Sequence, residues 1–520
     1  MTPWLRSSRH FPQAAVATPH YLATAAGLAT LAGGGNAVDA AVAANLTLAV
    51  VTPYMCGPGG DLLVQVWDGN LHGYLGVGRA PEAATLEDVR DRAASATFPT
   101  FGPLTVTVPG AVRGWFDLLE RWGTRSFGDL AATAIRYAEG GFPLSAKGAW
   151  YFDQARRVYD HFELPDFGRA YPAMPEGGRL VQSPLGRTLR TLAADGPDAY
   201  YKGPIGAAIA ARLQECGSFM TEADIARHEG DWVDPLVARF AGLDISELPP
   251  PTQGVAALEA MRIVDGLDLP PDGPERAHLM IEAMKLALAD RNRHVADPDA
   301  MTIAPTDLLT DAYIAEQRAR IDPAAASSFP LDTQSDGGTV YFCAADGDGL
   351  MVSIIQSNFF GAGSGIRVDE WGLNLHNRGS SFRLDGDHPQ AIGPRRRPMH
   401  TLIPAFARRD GEPALVFGSE GGHQQAQAQL QFLTRIAVDG ADPQAALDAP
   451  RWTVDPASGA VAVEDRVDPE WVDALRAKGH TIRTVPAYGH GMGYAHVIEP
   501  TATGYRGASD PRAEGGIAGL

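Results

Sequence analysis

The residue types that could perform chemistry stand closest together in the stretch DGGTVYFC, residues 336–343. A flexible Asp-Gly-Gly runs directly into Thr339. If the Gly338–Thr339 peptide bond is cut, the Thr339 hydroxyl gains its own α-amino group as a base, and a pKa of about 8 suits that amine to proton transfer near neutral pH. A plain loop-to-strand junction would use the same residue types. The stretch therefore raises the hypothesis of a threonine nucleophile that is created by chain cleavage.

A β-hairpin is predicted to position Thr339. Residues 339–345 are β-branched and aromatic, DGDG at 346–349 is a turn sequence, and residues 350–355 predict the returning strand. The preceding residues, 322–338, are rich in Pro, Ala, Ser, Asp and Gly, which is typical of an exposed linker. Thr339 is thus expected at the border between a linker and a sheet.

The other predicted elements are helices and hairpins in irregular order. Thr18-Pro19 predicts a helix start, Asn36 can cap a helix that ends at residue 51, and residues 62–75 predict a hairpin. A later helix is expected over about 422–438, after a glycine-rich loop. Because these elements do not repeat as βαβ units, the pattern favours a layered α+β fold over a Rossmann sheet.

Composition and charge narrow the class of protein. The 520 residues are 45% hydrophobic and 20% charged, which is ordinary for a soluble globular enzyme. A net charge of −19 argues against nucleic acid and anionic membranes as partners. The one tight basic cluster, Arg395-Arg396-Arg397, is interpreted as a solvated loop. Charged residues and prolines interrupt residues 1–21, so we expect neither a signal peptide nor a membrane span, and a cytoplasmic location.

The cysteines give no sign of a metal or disulfide framework. Cys56, Cys216 and Cys343 lie far apart and have no ligand spacing. We therefore expect an enzyme that uses neither a metal nor a cofactor.

Several motifs, in order along nearly the whole chain, resemble those of the γ-glutamyltransferase family of N-terminal nucleophile (Ntn) hydrolases. They are GGGNAVDAAVA at 33–43, GPGGD at 57–61, VPGAVRG at 108–114, HL…EAMKLA at 278–287, DAPRW at 448–452 and ASDPR at 508–512. The resemblance implies a four-layer αββα sandwich that is made as an inactive precursor. It also implies self-cleavage before Thr339 into a large fragment, 1–338, and a small fragment, 339–520, which stay together as a heterodimer. A dimer of such heterodimers stays open as a further level of assembly.

The resemblance also implies roles for three residues. Arg79 matches the family's arginine that binds the donor's carboxylate, a task that suits the planar fork of a guanidinium. Gly421 and Gly422 match the pair whose N–H groups form the oxyanion hole. Backbone N–H groups at a helix start are preorganised for a developing negative charge, although a simple helix-start turn would use the same glycines.

The chain departs from the family pattern where the donor's α-amino group is usually bound. Ser357, Arg378 and Ser381 stand where Asn, Gln or Glu, and Asp are usual, and His400-Thr401 replaces a Ser-Ser pair. Losing the Asp and gaining Arg378 exchanges a corner that binds ammonium for one that repels it.

The segment 382–397 is too short for the family's lid loop, so water should reach the acyl-enzyme. The chain looks more like the lidless branch, which includes oxamate amidohydrolase and cephalosporin-acylase-like proteins. The predicted function is hydrolysis of the amide of a small carboxylate-bearing donor, oxamate-like or glutaryl-like, that binds to Arg79 and Arg378.

Four alternatives stay open at this point. One is γ-glutamyl hydrolysis or transfer on glutathione-like donors. The others are a serine hydrolase based on Ser419 or Ser364, a nucleotide site at the glycines of 361–365, and an unprocessed, non-catalytic binding protein. Neither serine lies in a G-x-S-x-G motif, and the glycines lack a strand-turn-helix context.

Overall fold

The fold is that of a computed structural model, which describes residues 6–328 and 338–520. Its strands are, in chain order, β1 Arg9–Phe11, β2 Ala15–Thr18, β3 Asp61–Trp67, β4 Leu71–Gly76, β5 Phe142–Pro143, β6 Arg179–Leu180, β7 Asp231–Val233, β8 Leu236–Phe240, β9 Leu243–Glu247, β10 Gly338–Ala345, β11 Met351–Phe359, β12 Arg367–Val368, β13 Leu373–Asn374, β14 Ala405–Arg409, β15 Glu412–Ser419, β16 Trp452–Val454, β17 Val461–Glu464, β18 Ile482–Val485, β19 Ala495–Thr501, β20 Gly504–Ser509 and β21 Gly516–Gly519.

The α-helices connect and cover these strands. They are α1 Tyr21–Ala32, α2 Ala37–Val51, α3 Leu86–Ala93, α4 Ala111–Trp122, α5 Phe127–Gly140, α6 Ala146–His161, α7 Pro165–Ala170, α8 Ser183–Asp195, α9 Asp198–Tyr201, α10 Pro204–Glu215, α11 Glu222–Ala226, α12 Gly254–Asp265, α13 Pro274–His294, α14 Asp311–Ala319, α15 Gln424–Leu433, α16 Pro443–Asp448 and α17 Pro469–Ala477.

Two seven-stranded sheets lie face to face. One has the order β21-β2-β10-β11-β3-β4-β7 and the other β1-β20-β19-β15-β14-β9-β8. Helices α1, α2 and α4 cover the outer face of the first sheet, and α12, α15 and α16 cover that of the second. The molecule is therefore a four-layer αββα sandwich of the α+β class, as expected from the sequence.

The alternation of side chains along β10 shows how the layers are joined. Val340 and Phe342 point to the core under the first helical layer, whereas Tyr341 and Cys343 point to the core between the sheets. A strand that is buried on both faces must be apolar on both, which explains the uninterrupted VYFCAA run. This strand is the third of the seven in its sheet, beside the central strand β11, and it begins with Gly338 and Thr339.

The segment 382–397 folds down onto α3. Leu384 and Ile392 pack with Val89 in a small local core, and Arg90 donates through Nε to the carbonyl oxygen of Leu384 over 2.9 Å. Within the described residues, no helix combines the length and the apolar character needed to cross a bilayer.

Candidate active site

Thr339 lies in a β-bulge between the two central strands of its sheet. Gly338 pairs with Phe359 and Val340 with Gln356, so Ser357 and Asn358 together oppose Thr339. Bulges re-aim side chains and occur often beside active sites. Thr339 is completely buried in the uncleaved chain.

The hydroxyl of Ser357 is held by three hydrogen bonds. It donates to the carbonyl oxygen of Gly338 over 2.7 Å, and it accepts from the N–H of Phe359 over 2.7 Å and from the Thr339 hydroxyl over 3.3 Å. One hydrogen and two lone pairs are then all used. Ser357 therefore contacts both sides of the Gly338–Thr339 peptide bond.

The GPGGD motif packs closely against the backbone of Ser357. A Cβ atom on Gly59 would lie 2.2 Å from the carbonyl oxygen of Asn374, and one on Gly60 would lie 2.5 Å from that of Ser357. Only glycine allows this close backbone approach. The turn delivers Asp61, the first residue of β3, opposite Ser357 in the strand register.

Asp61 lies in a buried polar cluster with two histidines. Its Oδ2 is 3.6 Å from Nδ1 of His376 and 3.7 Å from Nε2 of His400, and its Oδ1 accepts from the N–H of Gly110 over 3.2 Å. Burial raises the pKa of Asp61, although the nearby His376 and Arg378 oppose this rise. Burial also lowers the pKa of both histidines. The cluster is thus biased toward its uncharged forms.

Arg378 is completely buried beside this cluster. Its Nη1 donates to Oγ1 of Thr401 over 3.1 Å, and its guanidinium carbon lies 3.9 Å from the ring centre of Phe359. Within the described residues, its Nε and Nη2 have no hydrogen-bond partner. Burial lowers its pKa to about 9, while the charge of Asp61 acts in the opposite direction. A guanidinium with two unused donors in a buried site is suited to bind a carboxylate.

Gln253 joins the predicted donor-binding residues to the predicted oxyanion loop. Its Nε2 donates to the carbonyl oxygen of Thr401 over 2.7 Å and to that of Gly422 over 3.0 Å. Gly421 and Gly422 have φ angles of 110° and 58°, which favour glycine. Neither N–H donates to an acceptor in the part of the chain that is described.

The contact between Tyr341 and Gly418 brings this loop toward Thr339. A Cβ atom on Gly418 would lie 2.3 Å from Cε2 of Tyr341, so β15 passes directly over that ring. Thr339 lies two residues before Tyr341, and Gly421 lies three residues after Gly418. The two predicted catalytic elements therefore extend from the same crossing of the two sheets.

Arg79 lies in a neighbouring pocket, outside this hydrogen-bonded network. Its Nη1 donates to the carbonyl oxygen of Arg395 over 2.9 Å and lies 3.5 Å from Oδ2 of Asp297. His228 and Arg397 line the same pocket. The interpretation of residues 395–397 as a solvated loop is wrong for Arg397, which is buried and forms an ion pair with Asp231.

Ser381 ends the short 3-10 turn that begins at Arg378. It is buried, and it shares that turn with the guanidinium that lies in the polar cluster. The structure thus brings Thr339, Ser357, Arg378 and Thr401 together with the buried polar cluster around Asp61. Arg79 lies in the neighbouring pocket.

Sequence reasoning did not select Asp61, His376 or Gln253 as site residues. Asp61 ends the GPGGD motif, and a buried polar residue after a glycine-rich turn is the signal that could have identified it. Gln253 follows Pro250-Pro251-Thr252, and nothing in the local sequence points to it.

The two rival nucleophiles have structural hydrogen bonds. The hydroxyl of Ser419 donates to the carbonyl oxygen of Glu420 over 2.9 Å, and that of Ser364 donates to the carbonyl oxygen of Leu375 over 2.8 Å. The glycines of 361–365 form a turn that leads into the strand β12 and not into a helix. The local structure therefore lacks the helix N-terminus that a phosphate-binding loop requires.

Buried side chains of the HL…EAMKLA motif form hydrogen bonds with the backbone of residues 322–327. Nε2 of His278 lies 2.8 Å from the carbonyl oxygen of Asp322, and its Nδ1 lies 2.8 Å from Nε2 of His480. Lys285 donates to Glu282 over 2.8 Å and to the carbonyl oxygen of Ser327 over 3.2 Å. His278, Glu282 and His480 could as a set ligate a metal, but the Lys285 ammonium already pairs with Glu282. The motif therefore has a structural explanation.

Comparison with known proteins identifies the family of this chain. Residues 23–520 match the family described as gamma-glutamyltranspeptidase. The chain is 34% identical to the glutathione hydrolase-like YwrD proenzyme of Bacillus subtilis, over 97% of this chain and 98% of that protein. It is also 34% identical to the oxamate amidohydrolase proenzyme of Klebsiella pneumoniae, over 96% and 97% of the two chains.

A solved structure also has a closely similar fold. The crystal structure of cephalosporin acylase from Bacillus halodurans superposes with a TM-score of 0.94 at 35% identity, over 100% of this chain and 98% of that one. The chain is therefore an enzyme that belongs to the gamma-glutamyltranspeptidase family of Ntn hydrolases.

Proposed function

We propose that the protein is an autoprocessed threonine amidohydrolase that cleaves the amide bond of a small acyl donor bearing a carboxylate. Thr339 is the nucleophile, fragments 1–338 and 339–520 form the working heterodimer, and water is the acceptor. The observation that carries the substrate class is the buried Arg378, whose Nε and Nη2 have no partner among the described residues.

Processing begins with attack of the Thr339 hydroxyl oxygen on the carbonyl carbon of Gly338. The hydrogen that Ser357 donates to the Gly338 oxygen would stabilise the negative charge that develops there. The C–N bond breaks, which gives an ester between Gly338 and the Thr339 oxygen and a free Thr339 amine. Water hydrolyses the ester, so that Gly338 ends as a carboxylate.

Donor hydrolysis repeats this chemistry on a new carbonyl group. The Thr339 amine takes the proton of its own hydroxyl as the oxygen attacks the donor amide, and it returns the proton to the leaving amine. The free N–H groups of Gly421 and Gly422 support their role as the oxyanion hole. Arg378, with Thr401, Ser381 and His400 around it, holds the donor's carboxylate, and Arg79 contributes from the adjoining pocket.

The packing of segment 382–397 against α3 supports hydrolysis over transfer. The connection that would otherwise supply a lid is used in a local core with Val89. Water can then compete with other acceptors for the acyl-enzyme.

The test combines processing and a substrate screen. The native 55.2 kDa chain should yield fragments of about 36 and 19 kDa, scaled by length, whereas Thr339→Ala should stay whole and inactive. The native enzyme is then assayed with oxamate, glutaryl amides and γ-glutamyl amides. An intact native chain, or normal activity in Thr339→Ala, would contradict the proposal.

A second candidate, γ-glutamyl hydrolysis, is favoured by one observation. Asp61 places a buried carboxyl group near Arg378, and its Oδ2 has no hydrogen-bond partner among the described residues. An α-amino acid end could place its carboxylate on Arg378 and its ammonium on Asp61. The substrate screen separates this candidate from the first.

A further inference from the structure

Several buried polar atoms around Asp61 are unpaired. Oδ2 of Asp61, both ring nitrogens of His400, and Nε and Nη2 of Arg378 have no partner among the described residues, and all three side chains are completely buried. Buried polar atoms in folded proteins are nearly always paired. The unpaired donors of Arg378 and the unpaired acceptor of Asp61 therefore indicate a site in which a ligand would supply the missing hydrogen-bond partners.

The hydrogen-bond directions around His376 fix its neutral tautomer. The carbonyl oxygen of Thr107 can only accept, so the hydrogen of His376 is on Nε2, which lies 2.9 Å from it. Nδ1 of His376 is then an acceptor, and it receives the N–H of Arg378 over 3.3 Å. Oδ2 of Asp61 lies 3.6 Å from this same Nδ1. The single lone pair of Nδ1 is then already used, so Oδ2 of Asp61 has no hydrogen-bond partner on His376.

The charges around Asp61 come from several elements. His376 and Arg378 follow β13, and His400 precedes β14. Arg397 acts electrostatically on His400, and the tyrosines 200 and 201 lie near enough to Asp61 to feel its charge. Among the described residues, Asp61 is the acid whose charge acts on Arg378, so the empty site balances one guanidinium against one carboxyl group. A ligand carboxylate adds an uncompensated negative charge in a fully buried place, which is costly.

We propose that Asp61 is a positioning residue that takes up one proton from solvent on its unpaired Oδ2 when a donor carboxylate binds to Arg378. The bound state then contains Arg378 and the ligand carboxylate as an ion pair, with a neutral Asp61 carboxyl group next to it. No bond to the ligand changes in this step. The inference rests on the proposed function, because it requires a carboxylate at Arg378.

The consequence is that carboxylate affinity falls as pH rises. Since the complex binds one proton more than the free enzyme, the dissociation constant should rise by up to about tenfold per pH unit. The range from pH 6 to pH 8 is suitable because Arg378, whose pKa is lowered to about 9, stays charged there. Binding is the correct measurement, since the Thr339 amine would add its own pH dependence to turnover.

The experiment is isothermal titration calorimetry of the processed native enzyme with oxalate and with glutarate at pH 7, in phosphate and in Tris buffer. These buffers differ in ionisation enthalpy, so the difference in observed heat gives the number of protons taken up. We expect about one for the native enzyme and close to zero for Asp61→Asn. Asp346→Asn is the matched control: Asp346 is also a buried carboxyl group with a raised pKa, but it lies at the turn of the β10–β11 hairpin, at the opposite end from Thr339.

The outcomes separate the inference from the proposed function. Binding heat without proton uptake in the native enzyme overturns the inference alone, and the native protein gives this answer even if Asp61→Asn does not fold. Uptake that persists in Asp61→Asn rejects Asp61 as the acceptor. If neither oxalate nor glutarate binds, the carboxylate site itself is rejected and the proposed function fails with it.

Discussion

The hydroxyl of Ser357 donates to the carbonyl oxygen of Gly338 over 2.7 Å, and it also receives the Thr339 hydroxyl over 3.3 Å. One side chain thus polarises the carbonyl group to be attacked and orients the oxygen that attacks it. The β-bulge makes this arrangement available, because it places Ser357 and Asn358 together opposite Thr339.

Ser357→Ala should slow self-cleavage by about 100- to 1,000-fold, the usual cost of losing one preorganised donor to a developing oxyanion. The rate is measured on a denaturing gel as conversion of freshly translated chain. Ser353→Ala is the control: this serine lies on the same strand, but its hydroxyl contacts Tyr341 and Phe417. Equal cleavage rates in Ser357→Ala and the native chain would remove Ser357 from the processing step.

Arg79→Ala should leave processing intact. For a carboxylate-bearing donor, it should lower kcat/KM by an amount equivalent to about 2–5 kcal/mol of transition-state stabilisation, because the donor's carboxylate loses its charged partner. The structure makes this a demanding test, because Arg79 already contacts Asp297 and the carbonyl oxygen of Arg395. Arg227→Ala, which removes another guanidinium from the same pocket, is the control. If the two variants have the same kinetics as the native enzyme, Arg378 alone binds the carboxylate.

The DAPRW and ASDPR motifs meet in a buried ion-pair network that should make stability depend on pH. Arg451 lies 2.5 Å from Asp510, and Arg512 lies 2.6 Å from Glu464 and 3.1 Å from Asp510. Burial alone would raise the pKa of Asp510, but Arg451 and Arg512 lower it overall. A lowered folded-state pKa stabilises the protein above the unfolded value, about 3.9 for Asp, and this contribution is lost as pH falls through the folded value.

We therefore expect Tm to fall steeply below about pH 4 in the native protein. Asp510→Asn should lower stability at pH 7 by about 3–5 kcal/mol, because Arg451 is left buried with a weaker partner, and it should reduce the loss at low pH. Asp410→Asn, at an exposed turn, is the control. A native Tm that is equal at pH 7 and pH 3 would show that the network contributes no pH-dependent stability.

Local sequence signals predicted the elements, and long-range contacts decided the rest. Asn36 caps α2 through the N–H of Asp39, and the helix ends at Val51 as its pattern indicates. The predicted start at Thr18-Pro19 is wrong. Thr18 is the last residue of β2, which pairs with the distant strand β21. Helix α1 therefore begins later than predicted, and His20 is its N-cap.

For the candidate site, too, the local sequence predicts single elements but not the contacts between distant segments. The hairpin that begins at Thr339 and the glycine loop follow from local composition, whereas the roles of Thr339, Gly421 and Gly422 come from the family resemblance. Asp61, His376 and His400 come from three distant segments, and their contact depends on how β3 pairs with β11. The positive φ angles of Gly421 and Gly422 also delay the start of α15 to Gln424, two residues after the predicted start.

Substrate choice is the sharpest test of the site. Arg378 would repel a donor ammonium, and Ser381 cannot pair with it, so the native enzyme should prefer a glutaryl amide to the matched γ-glutamyl amide by about 100-fold or more in kcat/KM. In the described part of the chain, Asp61 is the buried acid whose charge acts on Arg378 and that could oppose this preference. If Asp61 binds a proton instead of the ammonium, Asp61→Asn should keep the preference for the glutaryl donor. If the native enzyme prefers the γ-glutamyl donor and Asp61→Asn loses that preference, Asp61 binds the ammonium and the ordinary family activity applies.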